Sequence, residues 1–178
     1  MNKKLNTTAQ GGFTLIELIV VIVILGILAA TALPKFSSLG GDARVATLNA
    51  ARGSIASVVA MAHGKALVSG NSATPVTFEN VQVALVNGYP SAAATTANAA
   101  GIETGPDFTV LTGANATAGT AGPVRTATQF AIVPTAVAGT ANAANCYVLY
   151  TEATASAATP PVITPPTVVT TATADNCQ

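Results

Sequence analysis

The residues that could do chemistry in this chain are few and scattered. The 178 residues include one histidine, His63, two cysteines, Cys146 and Cys177, and seven carboxylates that balance seven basic side chains. Their positions form neither a recognisable catalytic constellation nor a cluster with metal-ligand spacing. The sequence therefore predicts a protein that is not an enzyme and that has no metal ion and no cofactor.

The composition excludes further classes of function. Charged residues make up 8% of the chain, against about 25% in a typical soluble domain. Each phosphate contact needs a lysine or arginine, so nucleic acid is not expected to be a primary ligand. Half the residues are hydrophobic but only 4% are aromatic, which predicts a thin core. A free monomer of this composition would dissolve poorly, so its surface must be covered.

One carboxylate, Glu17, stands in an unusual place. It is the only charge in the 21-residue apolar stretch FTLIELIVVIVILGILAATAL, which runs from Phe13 to Leu33. As a helix this stretch would be about 31 Å long, close to the roughly 30 Å hydrocarbon thickness of a bilayer. The sequence therefore predicts a membrane-spanning helix that contains a charge near its amino end.

An ordinary secretory signal is the alternative interpretation of this region. Lys3 and Lys4 make a positive n-region, residues 18–28 an apolar h-region, and residues 30–32 an A-x-A cleavage site. The product would be a secreted binding protein or small enzyme that begins at Leu33. Two features favour retention of the segment: a disposable signal has no evident use for Glu17, and helical spacing continues beyond residue 32.

A second, amphipathic helix is predicted after the apolar stretch. Pro34 would bend the junction, and Asp42 could cap a renewed helix after Gly40-Gly41. Gly70-Asn71 supplies a stop signal. Arg44, Arg52 and Lys65 lie off the apolar stripe, as solvated positions. The stripe itself steps by three or four residues: Val45, Leu48, Ala51, Ile55, Val58, Ala62 and Ala66.

The residues from Gly11 to Leu18, GGFTLIEL, resemble the class III signal of type IV pilins. The resemblance implies that a prepilin peptidase cuts between Gly12 and Phe13 and that the new amino group of Phe13 is methylated. The implied organisation is a leader (1–12), a transmembrane and assembly helix (13–33), an amphipathic helix (34–70) and a β-rich head (71–178). The family places a helix-loosening glycine and a kinking proline where this chain has Gly26 and Pro34.

Cleavage would give Glu17 a partner. It creates a positive amine at Phe13, and an amine from a neighbouring subunit would neutralise the carboxylate and fix the axial offset between adjacent helices. Alternatively, Glu17 snorkels from near the cytoplasmic interface and does not set the register. Removal of Lys3 and Lys4 leaves five basic and seven acidic side chains.

The fold is expected to be α+β. A long N-terminal helix, apolar in its first half and amphipathic in its second, packs on a small antiparallel sheet. Candidate strands are 76–78, 81–85, 108–111, 130–133 and 147–150. The bulk of a retained, membrane-anchored chain would lie in an oxidising compartment, where Cys146 and Cys177 would form a disulfide. The prolines between them predict an exposed edge loop. This loop either serves adhesive or antigenic display or is tied down for stability alone.

The resemblance implies a non-enzymatic major pilin. Such a subunit is stored in the inner membrane and then assembles with copies of itself into an extracellular filament, using separate assembly machinery and minor pilins. The run ALPKFSSLGGDARVATLNAARGSI, with residues 87–90 and 146–152, is most similar to the mannose-sensitive haemagglutinin (MSHA) branch. The competing assignment within the family is a type II secretion pseudopilin, which the C-terminal disulfide loop disfavours.

Overall fold

The computed structural model describes residues 12–37 and 39–178. It divides into two compact units, Met1–Ser37 and Ser38–Gln178. We call the first unit the stem and the second the head, and describe each by itself. The predicted leader lies outside the described residues except for Gly12.

The stem is one α-helix, α1, Leu15–Ser37. Its apolar side chains are compatible with an unbroken helix, and the backbone stays helical through Gly26 and Pro34. The helix therefore continues past the expected boundary at Leu33, although proline removes one backbone donor from the ladder.

The head begins with helix α2, Leu39–Ser69. The expectation that Asp42 caps a helix renewed after Gly40-Gly41 is wrong, because both glycines already lie inside α2. The predicted stripe is buried: six of its seven members are buried, and Val45 is partly buried. The helix ends as expected, with Gly70 at φ +66°, a backbone conformation that glycine adopts at little cost.

Short strands make up much of the rest of the head. A short helix, α3, Ala94–Ala99, and a 3-10 helix, Ala141–Ala144, interrupt them. The strands are β1 Val76–Phe78, β2 Val81–Val83, β3 Leu85–Val86, β4 Tyr89–Pro90, β5 Phe108–Leu111, β6 Gln129–Pro134, β7 Val148–Thr151, β8 Thr154–Ala155, β9 Ile163–Thr164 and β10 Thr167–Thr170.

Four of these strands form one antiparallel sheet in the order β10-β7-β6-β5. Three two-stranded ribbons, β1-β2, β3-β4 and β8-β9, accompany it, whereas the sequence predicted a single small sheet. The β3-β4 hairpin turns at Asn87 and Gly88, with φ +54° and +81°. Positive φ at both central residues is typical of the type I′ turn that Asn-Gly favours.

The main core lies between one face of α2 and the four-stranded sheet. Leu48 and Ile55 of α2 and Phe130 and Tyr150 of the sheet are fully buried. The rings of Phe130 and Tyr150 stack with centroids 4.9 Å apart, and the Tyr150 hydroxyl donates to the Pro90 carbonyl. Burial, with the nearby charge of Glu152, raises the pKa of Tyr150 above its usual value. The predicted α+β fold is confirmed, with α2 as the helix that covers the sheet.

The C-terminal region is held by a disulfide between Cys146 and Cys177, whose Cα atoms are 5.2 Å apart. Residues 154–165 are exposed throughout, as the proline content predicts. The region is not only a loop, however. It supplies β10, and this strand takes the edge position of the sheet, where neighbouring prolines are tolerated.

Candidate functional site

The stem presents an apolar surface on all sides. Its large side chains between Leu15 and Leu28 are 46% to 74% exposed, and Phe13 is 93% exposed. A helix that is apolar all round needs lipid or other helices to cover it. None of the described stem side chains is buried, so this apolar surface is uncovered within the part of the chain that the structure describes.

The amino end of α1 is closed by a reciprocal set of hydrogen bonds. The backbone N–H and the hydroxyl of Thr14 both donate to Oε2 of Glu17, each at 2.8 Å, and the Glu17 N–H approaches the Thr14 hydroxyl at 3.3 Å. This is a capping box, in which two orphan donors at a helix start are satisfied by side chains. The sequence T-L-I-E carries this signal, but our interpretation of Glu17 as a charge partner overlooked it.

The carboxylate therefore has a function within its own chain. The capping bonds use Oε2, and no hydrogen bond to Oε1 occurs among the described residues. A carboxylate can accept about four hydrogen bonds. The capping box thus leaves acceptor capacity for a second donor, such as an amine.

Two glycines of the stem region have no steric explanation among the residues that the structure describes. Apart from chain neighbours and the helix's own backbone, a Cβ added at Gly12 or at Gly26 would meet no described atom within 4 Å. Gly26 lies in the helix interior, where glycine costs about 1 kcal/mol relative to alanine.

The three basic residues of α2 that were expected to be solvated all reach carbonyl groups of the head. Arg44 Nη1 donates to Cys177 O at 2.6 Å, Arg52 Nε to Val168 O at 3.1 Å and Lys65 Nζ to Thr77 O at 2.7 Å. Their long stems allow a charged end to leave the helix and bond elsewhere. Spacing along the helix could not reveal these partners, because each is distant in sequence.

His63 has a structural environment. Its ring stacks on Tyr89 with centroids 4.0 Å apart and an angle of 4° between the planes. Its Nδ1 lies 3.0 Å from the Gly88 carbonyl oxygen, which requires a proton on Nδ1. These contacts fix the β3-β4 hairpin against α2. Among the described residues, no group of three or more His, Cys, Asp or Glu side chains is placed to hold a metal ion.

Within the described ranges, two helices are long and apolar enough to cross a membrane by length and composition: residues Leu15–Leu33 of α1, and α2. They differ in burial. The apolar window of α2 is 28% buried, whereas that of α1 is not buried at all. Burial of one face against the sheet accounts for the apolar character of α2, so α1 is the candidate for the membrane.

Residues 7–33 match the family model of the prokaryotic N-terminal methylation motif. The match contains the Gly12-Phe13 junction, Thr14, Glu17 and most of α1. The major component PilA5 of the type IV narrow pilus of Thermus thermophilus is 49% identical over 51 residues, which are 29% of this chain. The chain covers 44% of that relative's length. No solved structure gives a significant match.

Motif and architecture agree with each other. The N-terminal region carries the methylation motif and is similar to that of a type IV pilus component, and an N-terminal helix followed by small antiparallel sheets is a pilin-like α+β arrangement. A structural role fits both features, and neither indicates an enzyme activity.

Proposed function

We propose that this chain is the structural major subunit of a type IV pilus. The observation that carries the proposal is the stem: an apolar helix exposed on every side, with a single carboxylate near its amino end, inside a methylation motif. Such a helix can reside in the inner membrane and later exchange lipid for copies of itself in a surface filament.

In this proposal a prepilin peptidase cuts between Gly12 and Phe13, and Phe13 is then N-methylated. The new amine pairs with Glu17 of an adjacent subunit, so that two charges in an apolar bundle become one neutral pair. The acceptor capacity that remains on Glu17 beside the capping box supports this pairing. The Gly26 to Pro34 stretch of α1 is the part that we expect to loosen when stems pack together.

The pilus would be built by separate assembly machinery together with minor pilins. The exposed segment 154–165, held at its base by the disulfide, is suited to adhesive or antigenic display. Within the family we propose the MSHA branch on the similarity of residues 32–55, 87–90 and 146–152. The relative in Thermus is 49% identical over 51 aligned residues, and this similarity supports the general assignment only.

Mass spectrometry of the exported polypeptide tests the proposal. A chain that begins at methylated Phe13, recovered from sheared surface filaments, is the expected result. A product that begins at Leu33 would mean a secreted protein released by signal peptidase and would overturn the proposal. Methylated Phe13 in filaments confined to the periplasm would identify a pseudopilin instead.

A further inference from the structure

The last eight residues of the chain, 171–178, form a segment that we call the C-terminal strap. On one side the strap is tied to the 3-10 helix region: Cys177 is bonded to Cys146, and the Asn142 amide donates to the Gln178 carbonyl at 2.9 Å. On its other side the strap lies against the first turns of α2. It therefore joins two parts of the head that are more than 90 residues apart in sequence.

The contact with α2 is made at Gly41. This residue is buried, and a Cβ added to it would collide with the carbonyl oxygen of Ala174 and lie 2.8 Å from its carbonyl carbon. Real Cβ atoms do not approach a backbone carbon so closely. The strap can seat only because residue 41 has no side chain. Gly40 is different: its Cβ would meet only Arg44 Nη1, at 3.9 Å.

Arg44 completes the contact one turn further along the helix. Its guanidinium donates to the carbonyl of Cys177 at 2.6 Å, so a charged donor holds the backbone of the residue that forms the disulfide. Both sulfur-bearing residues are fully buried. The contact between the strap and α2 therefore also sets the position of Cys177.

We propose that docking of the strap on α2 is under redox control, and we call the docked arrangement the clasp. Gly41 leaves the space that the strap occupies, and Arg44 holds the strap through its hydrogen bond to Cys177. Docking on α2 brings the Cys177 thiol to Cys146 and raises its effective concentration there. The disulfide then locks the clasp. In the reduced chain the strap is held by noncovalent contacts only, including those with α2 and the bond from Asn142 to Gln178, and it opens more readily, which uncovers the start of the helix that follows the stem.

The chemistry is ordinary thiol-disulfide exchange. With glutathione disulfide as oxidant, the thiolate of one cysteine displaces one glutathione and forms a mixed disulfide. The thiolate of the other cysteine then displaces the second glutathione and forms the Cys146–Cys177 bond. Two protein thiols are oxidised, one glutathione disulfide is reduced to two glutathione molecules, and docking of the strap favours the second step.

The adjacent glycines provide a matched test. The full chain in detergent is equilibrated with reduced and oxidised glutathione, and the fraction of disulfide is measured by thiol alkylation and mass spectrometry. Gly41→Ala should lower the equilibrium constant about 5- to 150-fold, the range expected when a methyl group is forced into a packed contact. Gly40→Ala adds the same methyl group one residue earlier and should stay within about twofold of the unsubstituted chain.

A second pair of variants keeps the proposal testable if Gly41→Ala does not fold. Arg44→Met removes the hydrogen bond from Arg44 to the carbonyl of Cys177 in the strap. Arg52→Met removes the corresponding bond from Arg52 to the carbonyl of Val168 in β10, outside the strap. Arg44→Met should lower the same constant about tenfold, as expected for a hydrogen bond from a charged donor, and Arg52→Met should not. Equal constants within either pair would overturn the clasp. No filaments are needed, so this result is independent of the proposed pilus function.

Discussion

Replacement of Glu17 by glutamine separates the two roles of its carboxylate. In the structure Oε2 accepts two hydrogen bonds from Thr14 at 2.8 Å, and in the proposed filament the same group neutralises an amine. Glutamine keeps an oxygen at this position and can complete a capping box. It carries no charge, so it cannot neutralise the amine. Alanine at the same position loses both functions.

The size of the capping effect follows from the hydrogen bonds that are lost. Removal of a capping threonine by Thr14→Ala typically costs about 1 kcal/mol, or roughly a fivefold increase in the opening of the first turn. We expect this increase in Thr14→Ala and Glu17→Ala, and less than about a twofold change in Glu17→Gln. Exchange of the Glu17 and Leu18 amides, whose N–H groups bond to Thr14, measures it in detergent.

Filament formation should follow a different order. In a host that supplies the processing and assembly machinery, we expect Glu17→Gln and Glu17→Ala to reduce sheared filaments at least tenfold relative to chain retained in the membrane. Thr14→Ala, which keeps the charge, should assemble at close to the normal level. Normal filaments from Glu17→Gln would refute the pairing. Failure of Thr14→Ala together with normal assembly of Glu17→Gln would show that the cap, not the charge, matters.

Three further predictions concern the head and are measured on the full chain in detergent. Reduction of the disulfide, or Cys146→Ser with Cys177→Ser, should lower the free energy of unfolding by about 3.7 kcal/mol for a separation of 31 residues. Tm should fall by about 7 to 15 °C, and equal Tm values would contradict this prediction. The pKa of Tyr150 is raised in the folded state, so the free energy of unfolding should fall as the pH rises above 10, by up to about 1.4 kcal/mol per pH unit. In urea titrations at several pH values, Tyr150→Phe should remove the part of this pH dependence that Tyr150 causes. Leu48→Ala should cost about 2 to 5 kcal/mol of unfolding free energy, against about 0.5 kcal/mol or less for Leu67→Ala, since Leu48 is buried and Leu67 is 68% exposed.

Periodic features of the head were predictable from sequence. The stripe from Val45 to Ala66 gave the buried face of α2, because the helical period of 3.6 residues places these side chains on one side. The Asn87-Gly88 pair gave a hairpin, since only a few residue types accept positive φ at both positions. In each case the signal lies within one segment and does not depend on its partner.

Features that depend on distant partners were not predictable. Gly40-Gly41 suggested a helix break because glycine weakens helices. The helix nevertheless includes Gly41, because the backbone of Ala174 lies where a side chain at residue 41 would be. The same limit applies to Arg44, whose carbonyl partner is 133 residues away. Local propensity describes what a segment prefers when alone, and here tertiary contacts decided the outcome.

The sequence of the stem has features that contacts within the described chain do not explain. Gly41 is explained by an atom of its own chain. Near Gly26 no described atom beyond the helix's own backbone would meet an added Cβ, and the helix would be more stable with alanine there. The exposed apolar side chains of α1 likewise gain nothing from the described chain. The described chain alone therefore accounts for neither feature. In the proposed bundle of stems, a small residue would permit close approach of helices, and the apolar surface would be buried. The proposed filament subunit would thus explain both features of the stem with one kind of contact, that between copies of the stem.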